Sequence, residues 1–198
     1  MLQEKYLEHL ACFKHILEIE PAITKVGEIL LKTIMNSQKI LICGNGGSAA
    51  DSQHFAAEIV GRFQKERKAW PAVALTTDTS IMTAIANDYS YKNVFARQVE
   101  GIGQKSDVLI GISTSGNSKN ISAAVAEARS KGMQTIGLLG KDGGILKEEV
   151  DFPVIVPHAV TARIQEAHIF ILHFWAEQIE EGLLCTGITS QIKQNYNE

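Results

Sequence analysis

KILICGNGGSAADSQHFAAEIVGRF, residues 39–63, reads as a short buried strand, a glycine turn and an amphipathic helix. Lys39 to Cys43 forms an apolar run of strand length. Gly44, Gly46 and Gly47 let the backbone turn sharply and allow a ligand close to it. Ser48 stands at the expected N-cap of a helix over 48–63. Unpaired backbone N–H groups and the positive end of a helix dipole therefore face the loop, a place for an anion or a polyol. His54 and Glu58, four residues apart, lie one above the other on one helix face. The segment thus joins a binding turn to an acid/base or metal-ligating pair, although a His–Glu pair at this spacing is, taken alone, a common solvated surface feature.

GNGGSA also fits the dinucleotide pattern G-x-G-x-x-[GA], which requires an acidic residue about 20 positions on, at the end of the next strand. Here the next apolar strand, Pro71 to Thr76, ends near Asp78, too far along the chain. No P-loop lysine follows either glycine loop, which argues against an NTPase.

Working outward, strands are expected at 39–43, 72–76, 107–112, 134–139 and 152–156, and helices at 48–63, about 79–86, 92–102, 118–131 and 160–183. This alternation predicts an α/β fold, a single doubly wound five-stranded parallel sheet covered by helices on both faces. Two helices, over 2–18 and 22–36, precede the first strand and part near Pro21. Their apolar stripe packs either on the sheet of the same chain or on a second copy. With 198 residues, 45% of them hydrophobic, one domain can bury a sizeable core without staples. The expected divisions are a helical oligomerisation pair over 1–37, an α/β core over 38–183 and a polar tail over 184–198.

Nineteen Lys and Arg against 22 Asp and Glu give a net charge of −3, and the one dense basic cluster, Lys65-Glu66-Arg67-Lys68, is broken by an acid. Nucleic acid is not the expected ligand. Three widely spaced cysteines, Cys12, Cys43 and Cys185, form neither a disulfide framework nor a thiolate zinc knuckle, as in a reducing compartment. No uncharged apolar run reaches membrane-spanning length. A cytoplasmic protein with no membrane partner is expected.

In a doubly wound sheet of order 2-1-3-4-5, ligands sit beyond the carboxyl ends of strands 1 and 3. After the third strand comes Ser113-Thr114-Ser115-Gly116-Asn117-Ser118, whose four hydroxyls and following helix N-terminus suit a phosphate. The last helix is apolar nearly all round from Ile164 to Ile179, yet contains Gln165, Glu166, His168 and His173. Polar groups in a buried helix need partners. Gln165 and His173 lie about 80° apart around an ideal helix and face one site. Gln165 and His168 serve nearly as well, so spacing leaves the choice of histidine open.

Four blocks, CGNGGSAADSQHFAAEIVGR, AIANDY, GISTSGNS and RIQEAHIFILH, resemble in order the phosphoheptose isomerases of the sugar isomerase (SIS) domain family, over roughly residues 3 to 182. The resemblance implies conversion of D-sedoheptulose 7-phosphate to D-glycero-D-manno-heptose 7-phosphate through an enediol, in bacterial heptose biosynthesis for lipopolysaccharide or capsule. It also implies homotetramers with sites between subunits and one Zn2+ per subunit, held by His54, Glu58, Gln165 and His173. Glu58 and His173 would be the acid/base pair. Asn45, Gly46, Gly47, Ser48, Asn87 and Asp88, with Glu58 and Gln165, would hold the sugar, and Ser113, Thr114, Ser115 and Ser118 its phosphate. Some family members carry an aspartate directly before Arg-Ile-Gln-Glu, where this chain has Thr161-Ala162. The alternatives are a non-catalytic SIS-domain protein that binds the replication initiator and a sugar-phosphate sensor.

Overall fold

The computed structural model describes residues 1–185. Five segments are strands: β1 (Ile40–Gly44), β2 (Ala72–Ala74), β3 (Val108–Ser113), β4 (Gln134–Gly140) and β5 (Phe152–Val156). All neighbours pair in parallel, in the order β2-β1-β3-β4-β5. Central β1 has Ile40 beside Ala72 on one flank and Val108 on the other. Every residue of β1 and β3 is buried, which is why both read as unbroken apolar runs rather than alternating ones.

The helices are α1 (Leu2–Glu18), α2 (Glu20–Met35), α3 (Gly47–Val60), α4 (Thr79–Asp88), α5 (Ala96–Ile102), α6 (Lys119–Ser130), α7 (Leu146–Glu149) and α8 (Thr161–Cys185). Successive strand residues face opposite ways, and this divides the core. Ile40, Ile42 and Ile110 pack with Leu30, Phe55, Ile59, Ile171 and Trp175 under α1, α2, α3 and α8. Leu41, Cys43 and Leu109 pack with Ile85, Phe95, Val99, Ile121 and Leu146 under α4 to α7. The Trp175 indole N–H donates to the Ile23 carbonyl at 2.9 Å, joining α8 to α2.

Several boundaries differ from expectation, each for a local reason. Pro21 does not separate α1 from α2 by a loop: it sits in the first turn of α2, where its missing N–H costs nothing. The N-cap of α3 is Gly46, at φ 57°, two residues before the expected cap, so the helix begins at Gly47 and Ser48 lies buried inside it. Positive φ together with ψ −121° is a backbone conformation that glycine takes without steric cost. The same helix stops at Val60, and the backbone N–H groups of Phe63, Gln64 and Lys65 turn to the Glu180 carboxylate of α8 instead of continuing it. The one-turn α7 was not legible behind the turn 140–144. Asp107 closes the opposite end of the sheet, accepting from the Lys39 ammonium at 2.5 Å and from the backbone N–H groups of Lys39 and Gln104. Among the described residues no helix is long and apolar enough to cross a membrane. The first two residues of the tail expected over 184–198 belong to α8, and residues 186–198, with Cys185 as a side chain, lie outside what is described.

Candidate active site

Gly44 at the end of β1 pairs in register with Ile112 of β3, so the loops that follow these strands emerge side by side. The chain winds in opposite directions from this point, which leaves a crevice between the loops.

The loop after β3 is organised by its own hydroxyls. Ser113, the buried last residue of β3, has its Oγ 2.9 Å from Ser118 Oγ and 3.5 Å from Ser115 Oγ, and accepts from the Gly116 N–H at 3.1 Å. Ser118 is the N-cap of α6, yet its hydroxyl makes no capping bond and turns to Ser113. The first turn of α6 is therefore not closed off by its own cap, as a site for an anion requires. Gly116, at φ 67°, lets this loop meet the one after β4: a Cβ there would lie 2.1 Å from the Gly143 carbonyl oxygen. Asn117 joins the two loops, accepting from the Ile145 N–H and donating to the Ser115 carbonyl. Thr114 lies on the same loop, its carbonyl against Gly140.

The loop after β1 meets α8. A Cβ on Gly47 would fall 2.3 Å from Gln165 Nε2, so only glycine admits the Gln165 amide at this turn. Packed against α8, α3 carries His54 and Glu58 to His173. His54 Nε2 is 2.8 Å from His173 Nε2 and 3.2 Å from Glu58 Oε1. Two facing imidazole nitrogens at that separation share at most one proton, and the three donors lie within 4.8 Å of one another. Two imidazoles and a carboxylate converging on one point fit a divalent cation of the zinc type. Gln165 belongs to the turn at Gly47, eight residues or about 12 Å of helix rise from His173. Asn87 and Asp88 end α4 on the other side of the sheet, exposed and bonded to each other at 2.8 Å.

The two histidines of α8 separate cleanly. His168 is wholly buried, its Nε2 3.0 Å from the Leu139 carbonyl, and burial brings its pKa down to about 4, the bond to Leu139 opposing. It is a core residue; His173 is the one that meets His54. Phe63 flanks His173, ring centroids 5.6 Å apart.

Sequence reasoning missed three further residues. Asp51, three positions before His54, has a buried Oδ2 with no partner, and burial pushes its pKa up to about 6 against the lowering effect of His54. The i, i+3 spacing was a usable signal. Asn120 and Tyr91 bond to Asn45, and nothing in the sequence pairs residues so far apart.

Fold and side chains together make this an open parallel α/β domain of the sugar-phosphate-binding kind, with a hydroxyl-rich loop at its switch point and a His-Glu-His cluster between α3 and α8. The sequence profile of the SIS domain matches residues 6–140. A phosphoheptose isomerase of a Nitratiruptor species is 52% identical over 182 residues, 91% of this chain and 97% of that protein. One from Clostridium acetobutylicum is 56% identical over 161 residues, 81% and 82% of the two chains. The solved phosphoheptose isomerase of Neisseria gonorrhoeae matches with 46% identity and a TM-score of 0.82, covering 91% of this chain and 100% of that one. That of Francisella tularensis matches with 35% identity and a TM-score of 0.85, covering 91% and 98%. The chain belongs to the SIS domain family and, within it, to the phosphoheptose isomerases.

Proposed function

We propose that this protein is an aldose–ketose isomerase that interconverts D-sedoheptulose 7-phosphate and D-glycero-D-manno-heptose 7-phosphate in bacterial heptose biosynthesis. The observation that carries the reading is the convergence of His54, Glu58 and His173 on one point, in a chain 52% identical to a phosphoheptose isomerase over most of its length.

Moving a carbonyl between C2 and C1 requires a base at one carbon, a proton donor at the other, and stabilisation of the enediol between them. Glu58 takes the proton from one carbon as the carbonyl oxygen is protonated, giving the enediol. His173 serves the neighbouring carbon, which regains a proton as the other hydroxyl gives one up. Reactant and product have the same composition. Phe63 and His54 limit the freedom of the His173 ring. Ser113, Thr114, Ser115 and Ser118 hold the phosphate, while Asn45, Gly46, Gly47, Asn87, Asp88 and Gln165 face the sugar, with Ser48 buried behind the turn. Zinc, held by His54, Glu58 and His173, would supply Lewis-acid stabilisation of the enediolate oxygens, and Gln165, which lies at the Gly47 turn in this chain, would be its fourth donor only where a second subunit brings it up.

We infer further a homotetramer, with α1 and α2 (residues 1–37) serving assembly and residues 38–183 forming the catalytic core. Support comes from an apolar groove of about 180 Å³ between these helices and α8, lined by Ile16, Leu17, Ile23, Phe170 and Phe174. A cytoplasmic location is supported by the free, buried thiols of Cys12 and Cys43.

The test is an NMR time course with sedoheptulose 7-phosphate, with and without zinc or chelator, for the wild type and Glu58→Gln. New aldose signals that depend on Glu58 are expected, and their loss in chelator alone would make the metal essential. No turnover by the wild type in any condition would overturn the reading.

A further inference from the structure

Three segments remote in sequence meet at the side chain of Asn45. It lies in the turn after β1. Asn120 lies in the first turn of α6, two residues beyond Ser118, and is 5% exposed. Tyr91 opens the 3₁₀ turn Tyr91–Asn93, three residues beyond Asp88. Asn45 Nδ2 donates to Asn120 Oδ1 at 3.0 Å, and Asn120 Nδ2 donates back to Asn45 Oδ1 at 2.8 Å. The Tyr91 hydroxyl donates to that same oxygen at 3.1 Å.

An amide oxygen accepts two hydrogen bonds and an amide NH2 donates two. The Asn45 oxygen is therefore filled, while one N–H has no partner among the described contacts. Turning one amide over alone would set NH2 against NH2 and oxygen against oxygen, so the two side chains hold each other as a reciprocal pair, with the Tyr91 hydroxyl bonded to the same end of Asn45. The network thus fixes where the Asn45 side chain stands and leaves it one hydrogen-bonding position without a partner among the described contacts. It also spans the glycine turn, the segment bearing Asn87 and Asp88, and the helix whose N-cap is Ser118.

We propose that Asn120 and Tyr91 are positioning residues that hold the Asn45 side chain in place for a hydrogen bond to the sugar. They also keep the sugar end of the crevice at a set distance from the Ser113–Ser118 phosphate end. The proposal rests on the isomerase reading for which end receives the sugar. Its consequence is selective: breaking the network weakens recognition of the sugar and leaves recognition of phosphate unchanged.

The experiment is titration calorimetry of sedoheptulose 7-phosphate and, separately, of inorganic phosphate, with parallel steady-state kinetics. The proteins are the wild type, Tyr91→Phe, Asn120→Asp and Asn45→Ala. Tyr91→Phe removes one hydroxyl, and Asn120→Asp keeps the shape while replacing a donor by an acceptor. Each is expected to raise the Kd for the sugar phosphate about tenfold, equivalent to about 1.4 kcal/mol. The Kd for inorganic phosphate should stay within about twofold, and KM should rise far more than kcat falls. In the Asn45→Ala background, Tyr91→Phe should add less than about twofold, because its partner is gone. An unchanged ratio of the two Kd values, with only the melting temperature lowered, would reduce Asn120 and Tyr91 to structural residues and overturn the proposal. A wild type that binds the sugar phosphate without turning it over sinks the isomerase reading, while the Kd ratio still decides this one.

Discussion

Glu180 is a buried carboxylate that organises a whole loop. It accepts from the backbone N–H groups of Phe63 (3.3 Å), Gln64 (2.9 Å) and Lys65 (2.8 Å), and from Arg67 Nε at 3.1 Å. Arg67 in turn donates to the carbonyls of Glu58 and Ile59 and lies 3.6 Å over the Trp70 ring. This ties the end of α3 to α8 and brings Phe63 against His173. Removing one partner of a buried ion pair strands the other, at about 3–5 kcal/mol. Glu180→Ala should lose that much stability in urea unfolding, and a loss under about 1 kcal/mol would mean the loop holds without its carboxylate. Glu58→Gln, by contrast, should melt close to the wild type while abolishing turnover, since Glu58 carries no backbone donor in the described contacts.

At the scale of elements, α8 carries two groups that make stability depend on pH. Burial disfavours the charged form of Glu180, but the N–H groups of residues 63–65 and Arg67 outweigh it and bring its pKa below the ordinary value. Its contribution is present above the unfolded value of about 4.3 and is lost as pH falls through the folded one. For His168 the folded pKa is lowered from 6.5 to about 4. Between those values the unfolded chain binds a proton that the folded chain does not, so stability is full above 6.5 and declines toward pH 4. Melting temperatures measured from about pH 7.5 to about pH 4 should fall through this window for the wild type, and the fall should be flatter in His168→Leu. Equal slopes would remove His168 as the cause. Trp175, fully buried and bonded to Ile23, marks the same helix as the core's anchor. Trp175→Ala should cost about 3–5 kcal/mol.

At the scale of the whole molecule, the open question is what covers the apolar face. Leu17 is 76% exposed, Phe170 47% and Phe174 38%, side by side along one groove. A groove of this kind on a protein that works alone would be an aggregation liability. Light scattering on the wild type should give the mass of four chains, and Leu17→Asp or Phe174→Glu should give smaller species. A wild-type mass of one chain would overturn the assembly reading.

The alternation of strands and helices, the parallel sheet and the two phosphate-type loops were determined by the sequence alone, because apolar periodicity and glycine turns are local properties of the chain. The strand order 2-1-3-4-5 was expected but could not be derived from the sequence; the strand pairing in the fold gives it. Local pattern could not decide which polar residues of the apolar helix α8 matter. His168 and His173 lie about 140° apart on an ideal helix, and only the packing of α3 against α8 shows which one turns inward to Leu139 and which meets His54. Nor could it pair Asn45 with Asn120 or Glu180 with residues 63–67, contacts that arise between segments far apart in the chain. Those choices belong to the tertiary structure, because they depend on how two helices are rotated against one sheet.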